Sequence, residues 1–215
     1  MTKQIDVLIG KSLSGKSFAM RQILSDHQAM VQKLITCTTR PMRDEDQTDQ
    51  TYHFWSNRDY LDTLSESPER IIAPRTYIVQ QNQQQTEWHY FIDRNDLLAL
   101  ADDDSIDRIL LIVDWQGYLD LTAVVANDYL LHQQFQLHGY YLDTDLKTRL
   151  ARMVNSPRSS EDPHEMLRRV YYDEFIDFKS LDQLVQTSLQ QLKMQYHTTV
   201  YHSADELLQS YRSNL

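Results

Sequence analysis

The stretch QIDVLIGKSLSGKSFAM, residues 4–20, decides how the rest of the chain is read. Ile5, Val7, Leu8 and Ile9 form an apolar run of strand type, and Phe18, Ala19 and Met20 with Ile23 and Leu24 place apolar side chains at helical spacing. Between them GKSLSGKS, residues 10–17, fits the pattern G-x-x-x-x-G-K-[ST]. A loop that wraps a polyphosphate must turn its amide N–H groups inward, and Gly10 and Gly15 permit the backbone angles and the close approach this needs. Ser12, Ser14 and Phe18 complete the loop and the first turn of the helix, whose start supplies further donors. Lys16 would set an ammonium on the β- and γ-phosphates, and the Ser17 hydroxyl would be a ligand of the bridging magnesium. ATP and Mg²⁺ are the cofactors this loop leads one to expect.

The glycines reinforce the reading. The chain has four, where average usage would give about fifteen in this length, and two of the four fall inside the loop. With 215 residues, the expectation is one domain carrying insertions. Hydrophobic residues at 41% and charged residues at 24% are ordinary globular composition, which argues against a disordered chain. No apolar run approaches the ~20 residues of a membrane span and no leader pattern precedes Lys3, so a cytoplasmic protein with no membrane partner is expected. The single cysteine, Cys37, excludes an internal disulfide, and no Cys/His spacing suits zinc. A net charge of −10 disfavours a nucleic-acid partner, although clustered arginines can still build a pocket for a compact anion.

Further along, Val31 to Thr36 reads as a second strand and Thr38 to Thr51 as a polar loop. Ser56 and Asp59 open a short helix, and Ile71 to Gln80 and Glu87 to Ile92 read as strands around a flexible QQNQQQ turn. Asp93 and Asp96 open another helix. Ile109 to Val113 is a continuous apolar run, the mark of a strand buried on both faces of a parallel sheet, and Asp114 ends it. Phe135 to Leu142 repeats the signal. Asp143 is read as the cap of a helix through Met153, Asn155 to Glu161 as a mobile polar segment, and Asp162-Pro163 as the start of one long helix reaching about Leu192. Thr198 to Tyr201 is a last strand, and Ser203 with Glu206 a capping box for the terminal helix. The alternation of strands and helices predicts an α/β chain with a mostly parallel sheet between two helical layers.

The second informative segment is ITCTTRPMRDEDQTDQTYHFWS, residues 35–56, at the edge of the sheet where such folds bind ligands. Arg40 and Arg43 lie three apart on it. Two guanidinium forks suit a monophosphate dianion, while two solvated surface arginines would read the same in isolation. Asp114, at a strand end beside the phosphate loop, suits a metal or water-holding carboxylate or, more simply, a helix cap.

Together these features resemble the guanylate kinase family, whose T-T-R-x-P-R-x-G-E and D-Y-x-F stretches are matched by Thr38-Thr39-Arg40, Arg43, Tyr52 and Phe54, and whose D-x-Q-G is matched by Asp114-Trp115-Gln116-Gly117. The resemblance implies a P-loop fold with a small β-rich acceptor-binding insertion at about 36–92, a lid at about 153–163 and a core formed by 1–35 and 93–215. It implies Thr36, Arg40, Arg43 and Tyr52 on the acceptor, and Lys16, Ser17 and Asp114 at the phosphates and magnesium; Tyr77 and Asp114 are added as candidate substrate-binding residues beside them. Arg149, Arg152, Arg158, Arg168 and Arg169 fall in the lid region; Lys16, Arg40, Arg149, Arg158 and Arg168 are the residues expected to neutralise the moving phosphoryl.

The departures matter equally. Where the family places a glutamate for the guanine edge, Ala73 and Pro74 stand here, and Trp88-His89-Tyr90 replaces Y-G-[ST]. Arg75, Tyr77, Glu87 and Trp88 would build a different pocket, or belong to the core and its rim. The expected activity is ATP-dependent phosphoryl transfer to a nucleoside monophosphate, GMP being the acceptor the resemblance implies. The rivals are a kinase for another phosphorylated acceptor and a non-catalytic guanylate kinase-like interaction module. A homodimer is left open.

Overall fold

The computed structural model describes residues 2–43, 46, 52–81, 84–155 and 163–213. The chain begins β1 (Lys3–Gly10), α1 (Lys16–Asp26), β2 (Val31–Lys33), β3 (Thr36–Thr38), β4 (Tyr52–Phe54) and α2 (Asn57–Glu66). It continues β5 (Ile71–Gln81), β6 (Gln84–Asp93), α3 (Arg94–Ala101), β7 (Arg108–Ile112), α4 (Trp115–Asn127), α5 (Tyr129–Gln134), β8 (Phe135–Leu142) and α6 (Leu146–Val154). After α7 (Pro163–Tyr172) a π-helical turn (Asp173–Asp177) leads into α8 (Lys179–Thr187), α9 (Leu189–Tyr196), β9 (Thr198–Tyr201) and α10 (Ala204–Ser213).

Five strands in the order β2-β7-β1-β8-β9 make a wholly parallel sheet. The α/β class and the layering follow from the alternation along β1. Ile5, Val7 and Ile9 point to one face, packed with Trp115, Tyr118 and Leu121 of α4, Leu181 of α8 and Leu192 of α9. Leu8 points to the other, packed with Ala19, Met20 and Ile23 of α1 and with Leu207 and Tyr211 of α10. Because every strand runs the same way, the loops after β1, β7, β8 and β9 all open at one edge.

A second sheet, β4-β3-β6-β5, stands apart from the first; β3 pairs parallel with β4, while β6 runs antiparallel to both β3 and β5. The β5–β6 register slips between Ile72 and Arg75, where Ala73 holds φ +50°. Beyond the slip the alternation on β5 turns Arg75, Tyr77 and Val79 toward the parallel sheet.

Three expectations change. Val31 to Thr36 is two strands, not one: β2 joins the parallel sheet, the chain turns at Leu34, whose N–H donates to Leu110 O, and β3 starts the second sheet. The long helix after Pro163 is three α-helices and the π-helical turn. Its apolar period survives because Phe178, Leu181 and Leu192 all enter one core, although Ser188, accepting from Gln191 N at 3.2 Å, restarts the helix between them. Asp145, not Asp143, caps α6, with its side chain accepting from Thr148 N at 2.9 Å. Half of the capping box forms, since Ser203 Oγ accepts from Glu206 N, while the Glu206 carboxylate reaches one residue further back and accepts from His202 N. Within the Gln-rich stretch Gln80 and Gln81 pair with Gln85 and Gln84 as the ends of β5 and β6, and residues 82–83 lie outside the described residues. Most of the lid expected at about 153–163, Arg158 included, lies outside the described residues.

Candidate active site

The loop between β1 and α1 folds around two glycines with positive φ, +156° at Gly10 and +108° at Gly15. A Cβ at Gly10 would sit 2.8 Å from Ser14 Oγ and 3.0 Å from Leu142 O, so a larger residue there would break the loop's seat on β8. Leu13 also holds a left-handed conformation, φ +65°, which side-chain-bearing residues adopt at a cost. Ser14 is buried with its hydroxyl unpaired, and the Lys16 ammonium donates to Gly10 O at 2.6 Å and Lys11 O at 2.8 Å. Burial lowers the Lys16 pKa from 10.5 to about 8, against the opposing charge of Asp173. Ser17 and Phe18 lie exposed at the start of α1.

The loop forms one wall of a cleft of about 1190 Å³ whose other wall is the second sheet. Thr36, Arg40, Arg43, Tyr52, Tyr77 and Asp114 line it together with Gly10, Ser12 and Ser14 to Phe18, so the expected donor-side and acceptor-side residues share one space. Arg40, 5% exposed, is held by a bidentate pair with Asp46 at 2.8 and 3.0 Å and lies over the rings of Tyr52 and Phe54. Asp46 also accepts from Arg43 N at 2.7 Å, so one carboxylate fixes both arginine positions. It stands at the register of the family's motif glutamate.

Asp114 does more than was read from its place at a strand end. One oxygen caps α4 by accepting from Gly117 N at 2.6 Å; the other accepts from Arg75 Nε at 2.8 Å and Tyr77 Oη at 2.7 Å. Three donors leave a carboxylate about one free lone-pair direction. Arg75 also lies 3.8 Å from Asp177, whose pKa burial and the charge of Asp114 push up.

The arginines expected at the lid separate into two groups. Arg168 donates twice to Glu165, at 2.7 and 2.8 Å, and lines the cleft, as do Arg152 and Arg169. Arg149 is fully buried behind the loop, donating to Ser12 O and Thr144 O at 3.2 Å and pairing with Glu174, so its charge is spent on the protein. Sequence reasoning missed the acidic residues of the π-helical turn. Asp173 accepts from Ser12 N of the phosphate loop at 2.6 Å, and Lys11 pairs with Asp182 at 2.7 Å and with Glu174 at 3.3 Å. Their signal was an acidic run inside what reads as an amphipathic helix, which points only to a solvated face. Cys37 is buried, its thiol pushed up to about 12 chiefly by burial, and makes no nucleophile.

The residues fit a polyphosphate: two left-handed glycines, a helix start and an enclosed ammonium. Magnesium, which needs few protein ligands beside phosphates, fits at Ser17, while Asp114 has little capacity left in this arrangement. Among the described residues no group of three or more His, Cys, Asp or Glu side chains could hold a metal ion by itself. Likewise, among them no helix is long and apolar enough to cross a membrane.

A parallel sheet with a glycine loop and lysine at its carboxyl edge, facing a second sheet that carries paired arginines, defines a nucleotide-kinase-like P-loop protein. The guanylate kinase family model matches residues 2–68, covering the phosphate loop and the arginine segment. The whole chain also superposes on the crystal structure of guanylate kinase from Anaplasma phagocytophilum with a TM-score of 0.55 and 15% identity, covering 99% of this chain and 84% of that one; at this identity the likeness is one of fold. No curated relative matches the chain by sequence. The family likeness thus covers the N-terminal segment, and over the rest of the chain the likeness is one of fold.

Proposed function

We propose that this chain transfers the terminal phosphoryl group of ATP to a nucleoside monophosphate, with GMP the first acceptor to test. The observation that carries the proposal is the single cleft: the phosphate loop stands on one wall and Arg40, Arg43 and Tyr52 on the other, so a donor and an acceptor phosphate would share one space. Lys16 would neutralise charge on the transferring group, and Arg40, held rigid by Asp46, would orient the acceptor phosphate. Magnesium, when bound beside Ser17, would bridge and neutralise the donor phosphates. We assign Arg168 and Arg169 to the closing side of the cleft and residues 36–92 to an acceptor-binding insertion in one domain.

A second reading, a kinase for a different phosphorylated acceptor, is favoured by the far end of the cleft. There Arg75 occupies Asp114, and Ala73 and Trp88 stand where the family reads guanine. A coupled ADP-release assay over GMP, AMP, CMP, UMP and dTMP separates the two. Lys16→Ala should lower turnover by about a hundredfold or more with little change in Tm; undiminished turnover in that variant removes the mechanism. A wild-type protein that binds no Mg–ATP points instead to the interaction-module reading, since both kinase readings require that binding.

A further inference from the structure

Three successive carbonyls of the phosphate loop are held from behind by three side chains of one short segment. Ser12 O accepts from Arg149 at 3.2 Å, Leu13 O from Arg152 at 2.8 Å and Ser14 O from the Thr144 hydroxyl at 2.9 Å. Thr144 follows β8, and Arg149 and Arg152 lie on α6, so all three donors belong to residues 144–152. Thr144 and Arg149 are buried, and Thr144 O in turn accepts from Arg149 Nε at 3.2 Å, tying two of the donors together.

We infer that Thr144, Arg149 and Arg152 are positioning residues that set the phosphate loop in its anion-binding shape before any nucleotide arrives; the inference rests on the reading of that loop as an ATP site. A trans peptide is planar with its C=O and N–H opposed, so a carbonyl held toward the 144–152 segment turns the next residue's N–H away from it. The Ser14 N–H closes a turn onto Lys11 O at 3.2 Å. What the clamp aims away from itself are therefore the N–H groups of Leu13 and Gly15. The left-handed Leu13, φ +65°, is an independent sign. Strained backbone of this kind persists only where its surroundings over-determine it, and here the surroundings are these three bonds. The arrangement also gives Arg149 a role different from charge neutralisation: it acts through the loop and does not touch the transferring group.

The test is Thr144→Val, which keeps the shape and removes the hydroxyl, with Thr144→Ser as the conservative control. Binding of a non-hydrolysable ATP analogue with Mg²⁺ should weaken about five- to tenfold in the valine variant and return in the serine variant, the size expected for one hydrogen bond to a buried group. The KM for the acceptor should stay within twofold. A second readout needs no nucleotide: the Gly15 amide, one of four glycine amides in the chain, should shift in the NMR spectrum and exchange faster in the valine variant. Unchanged analogue affinity, or equal losses of donor and acceptor affinity together with a falling Tm, overturns the inference. If the wild type binds no ATP analogue while the Gly15 amide still responds to Thr144→Val, the functional reading fails and the clamp stands.

Discussion

Replacing Asp173 with asparagine should tighten ATP binding while weakening the fold, two effects of opposite sign from one atom change. The carboxylate sits 2.6 Å from Ser12 N, on the main chain that would cradle phosphate. Two unit negative charges about 4 Å apart repel by about 4 kcal/mol at an effective dielectric near 20. Arg149, 3.9 Å from the Asp173 carboxylate, offsets part of that field and remains in the variant. A net relief of about 1 to 2 kcal/mol is left, or roughly tenfold tighter binding. Against this, a hydrogen bond to a charged group is exchanged for one to a neutral amide, which lowers stability by about 1 kcal/mol. The assay is calorimetric titration with Mg–ATP below pH 7, because losing the Asp173 charge lowers the Lys16 pKa further from about 8. Thermal unfolding of the same samples gives the second number. Equal or weaker ATP binding by a folded Asp173→Asn protein would refute the view that this carboxylate competes for the phosphate seat.

Other outcomes follow from buried charges. Burial lowers Lys16 from 10.5 to about 8, so between about pH 8 and 10.5 the unfolded chain holds a proton that the folded chain has released, and this residue's contribution to stability rises with pH across that window. Bound polyphosphate restores the ammonium, so titration with ATP near pH 8.5, in buffers of different ionisation heat, should show proton uptake that Lys16→Met abolishes; no uptake by the wild type contradicts the assignment. Asp46→Ala leaves the Arg40 guanidinium, in a pair whose side chains are 4% and 5% exposed, without its partner. Urea unfolding should then report a loss of about 3 kcal/mol, and a loss under about 1 kcal/mol would mean the pair does not hold the arginine loop together.

The N-terminal strand, phosphate loop and helix were legible in the sequence because each is local. An apolar run of period two, two glycines needed for positive φ and a helical apolar period lie within residues 4–24, and no distant contact is required to read them. The parallel core was legible for a related reason: Ile109 to Val113 is apolar at every position, as only a strand covered on both faces can be. The order of the strands, and with it the edge at which four loops meet, was left to tertiary packing.

What only the folded chain decided is which charges face which. Arg149 and Arg168 share a region and a residue type, yet one is sealed behind the loop and the other lines the cleft, because burial depends on where α6 and α7 dock and not on spacing. Asp173 lies 161 positions from Ser12, a separation at which local pattern carries no information. The slip at Ala73 chooses the face of β5 that meets Asp114, since a one-residue change of register exchanges every side chain across a sheet. Sequence alone named the loop that would hold phosphate; the three-dimensional arrangement of distant carboxylates and arginines around it determined how much of that loop's binding capacity the protein already uses on itself.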